Sequence, residues 1–343
     1  MRFRIYTSDI MLSFPPLSAS IPSPPISEFT FGSQWTIFGF TFGPFSIHIY
    51  ALCILVGIIA ATIMTNSRLS KRGAERWVVI DIALPAVVLA FIGARAYHVL
   101  THWGFYFEQG REWWNPTVQD AVWNIWDGGI AIFGALLGGG LGAWLGCKWT
   151  GVRFSAFADA LAPGLILAQA LGRFGNWFNH ELYGLPTTLP WGLEIESSNS
   201  AFPAGLPDGT LFHPTFLYEV IWNTLGAIAL VWLGRRAAMQ WGRLFAVYLI
   251  WYGLGRVVWE SIRVDPSQVY FGLRVNVWAA IASVVLGVVI LFVQARHKGL
   301  EPSPYTAKHL RNVSDISSED EFVDVSDPAG IEENVEPSPQ PAS

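Results

Sequence analysis

At 343 residues, 52% hydrophobic and only 14% charged, the chain is too apolar for an ordinary soluble domain, in which about 25% of residues are charged. Its 17 tryptophans and a mean hydropathy of +0.38 point the same way, to an all-α polytopic membrane protein. Basic arms of the nucleic-acid-binding kind are lacking, which argues against a nucleic-acid partner.

Residues 1–45 open the chain with a Ser- and Pro-rich stretch. No apolar core of about 7–15 residues precedes a small-residue cleavage site, so the stretch does not read as a signal peptide. A flexible arm outside the membrane is expected, with Met11 as an alternative start.

Apolar runs of about 20 residues, enough to cross a hydrocarbon core, follow at 46–66, 78–100, 128–147, 215–234, 242–262 and 276–294. A further run, 157–178, is interrupted by Asp159, Pro163, Gln169 and Arg173. Charge decides in its favour, because Lys and Arg concentrate in cytoplasmic loops. Arg68, Lys71, Arg72 and Arg76 follow the first run, and Lys148 and Arg153 the third. Arg235, Arg236 and Arg243 precede the run at 242–262 or open it, and Arg296 and Lys298 follow the last. All of them share one side only if 157–178 crosses. The expectation is seven transmembrane helices over 46–298, N-terminus outside and C-terminus cytoplasmic. The outer segments would be 102–127 and 179–214, the second being a loop or arm region between helices four and five.

The remainder, 299–343, carries ten acidic and two basic residues, which leaves the rest of the chain at +3. It is rich in Pro and Ser and too poor in apolar residues to offset ordering entropy. A disordered acidic cytoplasmic tail is expected.

Cys53 and Cys147 both lie in apolar runs and read as buried thiols; two such cysteines make no metal or disulfide framework. On span three, Gly134, Gly138, Gly142 and Gly146 repeat every four residues, a ladder for close helix packing.

Arg95, Arg173 and Arg256 sit within about two turns of the outer ends of spans two, four and six. A charge at the bilayer centre costs roughly 2.5–3.5 kcal/mol, so such residues suggest a site. His48 and Tyr50 open span one, and Gly128 and Gly129 open span three, at the same level. This convergence suggests a pocket for an anionic lipid head group.

Two stripes sharpen the picture. Arg173, Asn176 and His180 fall at i, i+3 and i+7, one helical face. A guanidinium suits phosphate oxygens and an amide suits hydroxyls; a snorkelling Arg with an amide bonded to a neighbouring helix explains the pattern equally well. Tyr252, Arg256, Glu260 and Arg263 form the second stripe. An Arg256–Glu260 pair within the helix is the plain reading; a carboxylate that orients Arg256 for a ligand is the functional one. His213-Pro214, with Tyr218 and Glu219 one turn on, reads as an interfacial anchor.

No phosphate loop, zinc-protease motif or cysteine-rich metal set occurs. Taken together, the motifs resemble those of the bacterial prolipoprotein diacylglyceryl transferase family over about residues 45–294. Segment 172–184 is similar to the family's GRxGNFxNxExxG signature. His48-Ile49-Tyr50, Gly93-Ala94-Arg95, Trp126-Asp127-Gly128-Gly129, the stretch from His213 to Glu219, and Tyr252–Arg256 with Glu260 match in the same order.

The resemblance implies an enzyme of the plasma membrane acting at its outer leaflet, with no metal or organic cofactor. Phosphatidylglycerol would give its diacylglyceryl group to the lipobox cysteine of a preprolipoprotein, forming a thioether and releasing glycerol 1-phosphate. The family's essential Arg and Asn fall on Arg173 and Asn176, its second Arg on Arg256 and its Tyr on Tyr50. Its conserved carboxylate and glycine fall on Glu181 and Gly184. Arg95, Gly128, Gly129, His48 and His213 would help bind the lipid, and Tyr252 and Glu260 would complete the catalytic set. Many members carry a histidine where this chain has Phe133; His48, His180 and His213 are the alternative bases. A transporter or binding protein for an anionic lipid or solute is the competing reading.

Overall fold

The computed structural model describes residues 20–311, apart from 34, 38, 39, 43, 44, 109, 116–120, 125–127, 238 and 298. Long helices dominate: α1 (Ile49–Ser70), α2 (Val78–Thr101), α4 (Ile132–Thr150), α5 (Phe154–Phe178), α6 (Thr215–Arg236), α7 (Arg243–Ser261) and α8 (Val275–Gln294). A single turn, α3 (Trp103–Tyr106), follows α2. Among the described residues there are four antiparallel ladders, two before α1 and two between later helices: β1 (Glu28–Phe31) with β4 (Phe45–His48), β2 (Trp35–Ile37) with β3 (Phe40–Phe42), β5 (Leu193–Glu194) with β6 (Leu211–Phe212), and β7 (Val269–Tyr270) with β8 (Leu273–Arg274).

Five of the helices, α1, α2, α5, α6 and α8, are long and apolar enough to cross a membrane. The chain is a mostly helical, polytopic membrane protein. The polar interruptions in α5 do not break it: it runs unbroken for 25 residues through Pro163. Helices α4 and α7 have 19 residues each, a spanning length. Glycine dilutes the hydropathy of α4, and Arg256 and Glu260 that of α7, so neither joins the five. Two expected starts shift. Residues 46–48 belong to β4, and 128–131 precede α4 with Gly128 and Gly129 at φ 98° and 73°.

Packing follows residue size. α2 lies along α4 over the glycine ladder: a methyl at Gly134 would overlap the Gly93 carbonyl, and one at Gly93 would overlap that of Gly134. Only a residue without Cβ lets the backbones approach so closely. Elsewhere α1 packs on α5, α5 on α6, and α7 on α8. The interior between α5, α6 and α7 is built from Ala162, Ile166, Ala227, Leu230, Leu244 and Tyr248. Large apolar side chains such as Leu84, Ile228 and Phe292 face outward, as lipid solvation demands.

At the end of the bundle where α5 begins, Asp159 is buried. Its two oxygens accept hydrogen bonds from the Gly242 and Phe245 N–H groups (2.8 and 3.0 Å), capping the start of α7. The region expected as a solvated tail begins differently. Glu301 is buried, pairs with Arg72, accepts from Ser155 Oγ at 2.6 Å, and donates its N–H to Gln240 Oε1 at 2.6 Å. Residues 305–343 form a separate unit, described by a helical turn at 307–311 with Tyr305 stacked on His309; 312–343 lie outside the described residues.

At the other end, 179–214 folds around Tyr183, Leu193, Ile195, Phe212 and Phe216. Burial pushes the Tyr183 phenol above its ordinary pKa. Residues 20–24 of the expected flexible arm pair with this segment and with the end of α5. Ile21 bridges to Leu193, and the Pro22 and Pro24 carbonyls meet Trp177 Nε1 (3.1 Å) and His180 Nε2 (2.8 Å). Residues 1–19 lie outside the described residues.

Candidate active site

Arg173 lies five residues before the end of α5, and Arg256 the same distance before the end of α7. One carboxylate from a third helix joins them. Glu219, in the first turns of α6 and 3% exposed, holds Arg173 Nε at 2.8 Å and lies 3.5 Å from Arg256 Nη1 through the same oxygen. Arg256 Nη2 pairs with Glu260 at 2.8 Å, one turn along α7. The plain i,i+4 pair is therefore present, and it orients Arg256 toward Glu219 as well.

Glu260 is fully buried and compensated several times over. Arg263 Nη1 (3.1 Å), Arg274 Nε (3.2 Å) and Asn276 Nδ2 (2.9 Å) all reach it. Asp265 in turn binds Arg263 and Arg274. This network ties the end of α7 to the start of α8 and satisfies charges whose burial would otherwise cost several kcal/mol, an order-of-magnitude figure.

On α5, Arg173 Nη1 donates to Asn176 Oδ1 at 3.1 Å, and Asn176 Nδ2 donates to Glu181 Oε1 at 2.8 Å. Tyr50 lies against Gly175, where any Cβ would overlap its ring. The chain thus brings Tyr50, Arg173, Asn176, Glu181, Glu219, Arg256 and Glu260 into one connected set. Arg256 Nη1 is buried and makes no hydrogen bond among the described residues. A buried donor without a partner is uncommon. An anionic oxygen placed between the two guanidiniums would supply one.

Other expected site residues have different neighbours. Arg95 spends its guanidinium on four carbonyls, those of Ala121, Val122, Gly128 and Gly129, at 2.8–3.1 Å. It organises the loop before α4, and Gly129, left-handed like Gly128, makes room for it, since a Cβ there would overlap Arg95 Nη1. His48 is exposed and sits 3.5 Å from Glu28. His180 does not continue the Arg173–Asn176 stripe, because α5 ends at Phe178 and His180 turns to φ 51°. Both its ring nitrogens are engaged, by Glu196 and the Pro24 carbonyl. His213 Nδ1 meets Tyr218 Oη at 3.1 Å, and its carbonyl accepts the Gly184 N–H at 2.9 Å. Tyr252 stacks on Tyr248, one turn before Arg256. Trp126 and Asp127 lie outside the described residues. Glu219 was not among the expected site residues; its signals are a carboxylate at the head of an apolar run and its place at the end of the His213–Glu219 stretch that resembles the family.

Comparison with known proteins bears on this arrangement. A family model described as prolipoprotein diacylglyceryl transferase matches residues 38–293. The chain belongs to the prolipoprotein diacylglyceryl transferase family. It is similar to the phosphatidylglycerol–prolipoprotein diacylglyceryl transferase of Leifsonia xyli subsp. xyli, with 60% identity over 84% of each chain. The protein of the same name from Cutibacterium acnes is 44% identical over 80% of this chain and 90% of its own. That from Mycobacteroides abscessus is 43% identical over 75% and 74%. Within this family the chain's Phe133 is placed by packing: its ring lies 6.1 Å from that of Tyr97 across the α2–α4 seam.

Proposed function

We propose that the chain is a phosphatidylglycerol–prolipoprotein diacylglyceryl transferase of the bacterial cell membrane. The observation that carries the mechanism is the Arg173–Glu219–Arg256 bridge, with Arg256 Nη1 left unsatisfied. The lipid phosphate seats against the two guanidiniums, and Asn176 and Tyr50 border the glycerol. The lipobox sulfur attacks the primary carbon of the diacylglyceryl group, forming a C–S bond. The carbon–oxygen bond to phosphate breaks, its electron pair leaves with glycerol 1-phosphate, and the thiol proton is released to water. Thiolate is the nucleophile, and nearby cations lower a thiol pKa from about 8.5. The same cations stabilise charge gathering on the leaving phosphate. Phe133 takes no proton, so the arginines carry the activation.

Glu219 and Glu260 orient Arg256, and Glu181 orients Asn176. Arg95, Gly128, Gly129, Gly184, His48 and His213 shape the loops around the lipid, and Tyr252 lies beneath it on α7. For orientation, α4 and α7 complete seven crossings, with the Arg173 end outward. Arg68, Arg72, Arg235 and Arg243 then fall on the cytoplasmic side, as the charge rule requires.

The test uses purified full-length protein, phosphatidylglycerol labelled in its glyceryl backbone, and a lipobox peptide. The peptide is expected to gain the diacylglyceryl mass. Uptake of label into vesicles without a change in peptide mass would make the chain a transporter instead.

A further inference from the structure

A groove of about 480 Å³ opens on the flank of the bundle between α1, α5 and α6, away from the Arg173 end. Met64, Leu167, Ala227 and Val231 line it, and Trp232 forms one edge. Arg235 and Arg236 close it. From Thr224 to Arg236 the groove follows α6 for about 18 Å at 1.5 Å per residue, the scale of an acyl chain beneath its head group.

The charge at its mouth is unbalanced. A third guanidinium, Arg68 of α1, lies against Gly234. Its Nε is buried without a hydrogen-bond partner among the described residues, and its Nη2 donates to the Asp159 carbonyl at a long 3.5 Å. None of Arg68, Arg235 and Arg236 has a carboxylate at ion-pair distance among the described residues. Of the nearby arginines, Arg72 pairs with Glu301, and Arg243 Nη2 donates to the His297 carbonyl at 2.6 Å although its Nε, like that of Arg68, has no hydrogen-bond partner among the described residues. An apolar slot that ends in unpaired cations at a membrane surface complements one class of ligand, an anionic lipid.

We infer that this groove binds an anionic glycerophospholipid of the leaflet opposite the candidate active site, its phosphate on Arg68, Arg235 and Arg236 and one acyl chain along α6. The lipid braces α5 and α6, the helices that carry Arg173 and Glu219 at their other ends. The inference rests on the chain's position in a membrane and not on its chemistry.

Native mass spectrometry of delipidated full-length protein, titrated with phosphatidylglycerol or with phosphatidylcholine, tests it. The wild type is expected to take up a second phosphatidylglycerol and no matching phosphatidylcholine. The double variant Arg235→Gln/Arg236→Gln should weaken that second event roughly 10–30-fold, at about 1 kcal/mol per arginine, while peptide transfer by the same sample is kept. Val231→Trp fills the groove without touching charge and should weaken the same event, so the test survives poor folding of the arginine variant. Unchanged binding in both variants, equal uptake of phosphatidylcholine, or displacement by free glycerol phosphate would overturn the inference.

Discussion

The two ends of α5 both bury carboxylates among arginines, and they use them differently. At the Asp159 end the acids are saturated by the protein. Asp159 gives both oxygens to α7 backbone amides, and Glu301 gives its oxygens to Ser155 and Arg72. At the Arg173 end Glu219 shares one oxygen between two arginines and leaves Arg256 Nη1 without a hydrogen bond among the described residues. A buried charge is therefore not by itself a mark of function. A charge cluster left incomplete by its own chain is the better mark, because what is missing has the chemistry of the ligand.

That contrast breaks first at the arginines. Arg256→Ala or Arg173→Ala should lower peptide transfer by about 10²–10³, the usual loss when one donor to a developing anion is removed. Immunoblotting of membranes should show the protein still inserted. Glu219→Gln comes next. It should lower turnover more than it raises the phosphatidylglycerol KM, because it misplaces two guanidiniums. It should also destabilise the fold by about 3–5 kcal/mol, since both partners stay buried. A thermal melt with normal turnover would make the bridge incidental. Asp159→Ala sharpens the other side: a loss of about 1–3 kcal/mol in stability from unsatisfied amides, with normal transfer by the protein that remains folded. The smallest effect is expected of Phe133→His, whose site is a packing contact with Tyr97. A sharp rise in activity with a shifted pH profile would show that a missing base was limiting.

Much of this was legible in the sequence, for definite reasons. Arg173 and Arg256 announce themselves because apolar surroundings make any charge conspicuous, and the every-fourth glycine of α4 names its own packing face. Glu219 was not legible: beside His213-Pro214 it looks like an interfacial anchor, and pairing across three helices leaves no periodic trace. Arg95, like the other two arginines, lies within two turns of its helix end but is spent on carbonyls, which position along an apolar run does not disclose. His180 fits a helical stripe only while the helix lasts, and α5 stops two residues short of it. Glu301 falls in an acidic, Pro-rich stretch whose composition hides the one carboxylate that meets Arg72.

Whether the two guanidiniums grip a single phosphate is answered most directly by a double-mutant cycle on transfer rate, with Arg173→Ala, Arg256→Ala and the combined variant assayed at matched amounts of inserted protein. Residues that act as a unit are strongly non-additive, so the double variant should be scarcely slower than either single one. A wild-type rate in either single variant, or losses that multiply in the double, would contradict the account.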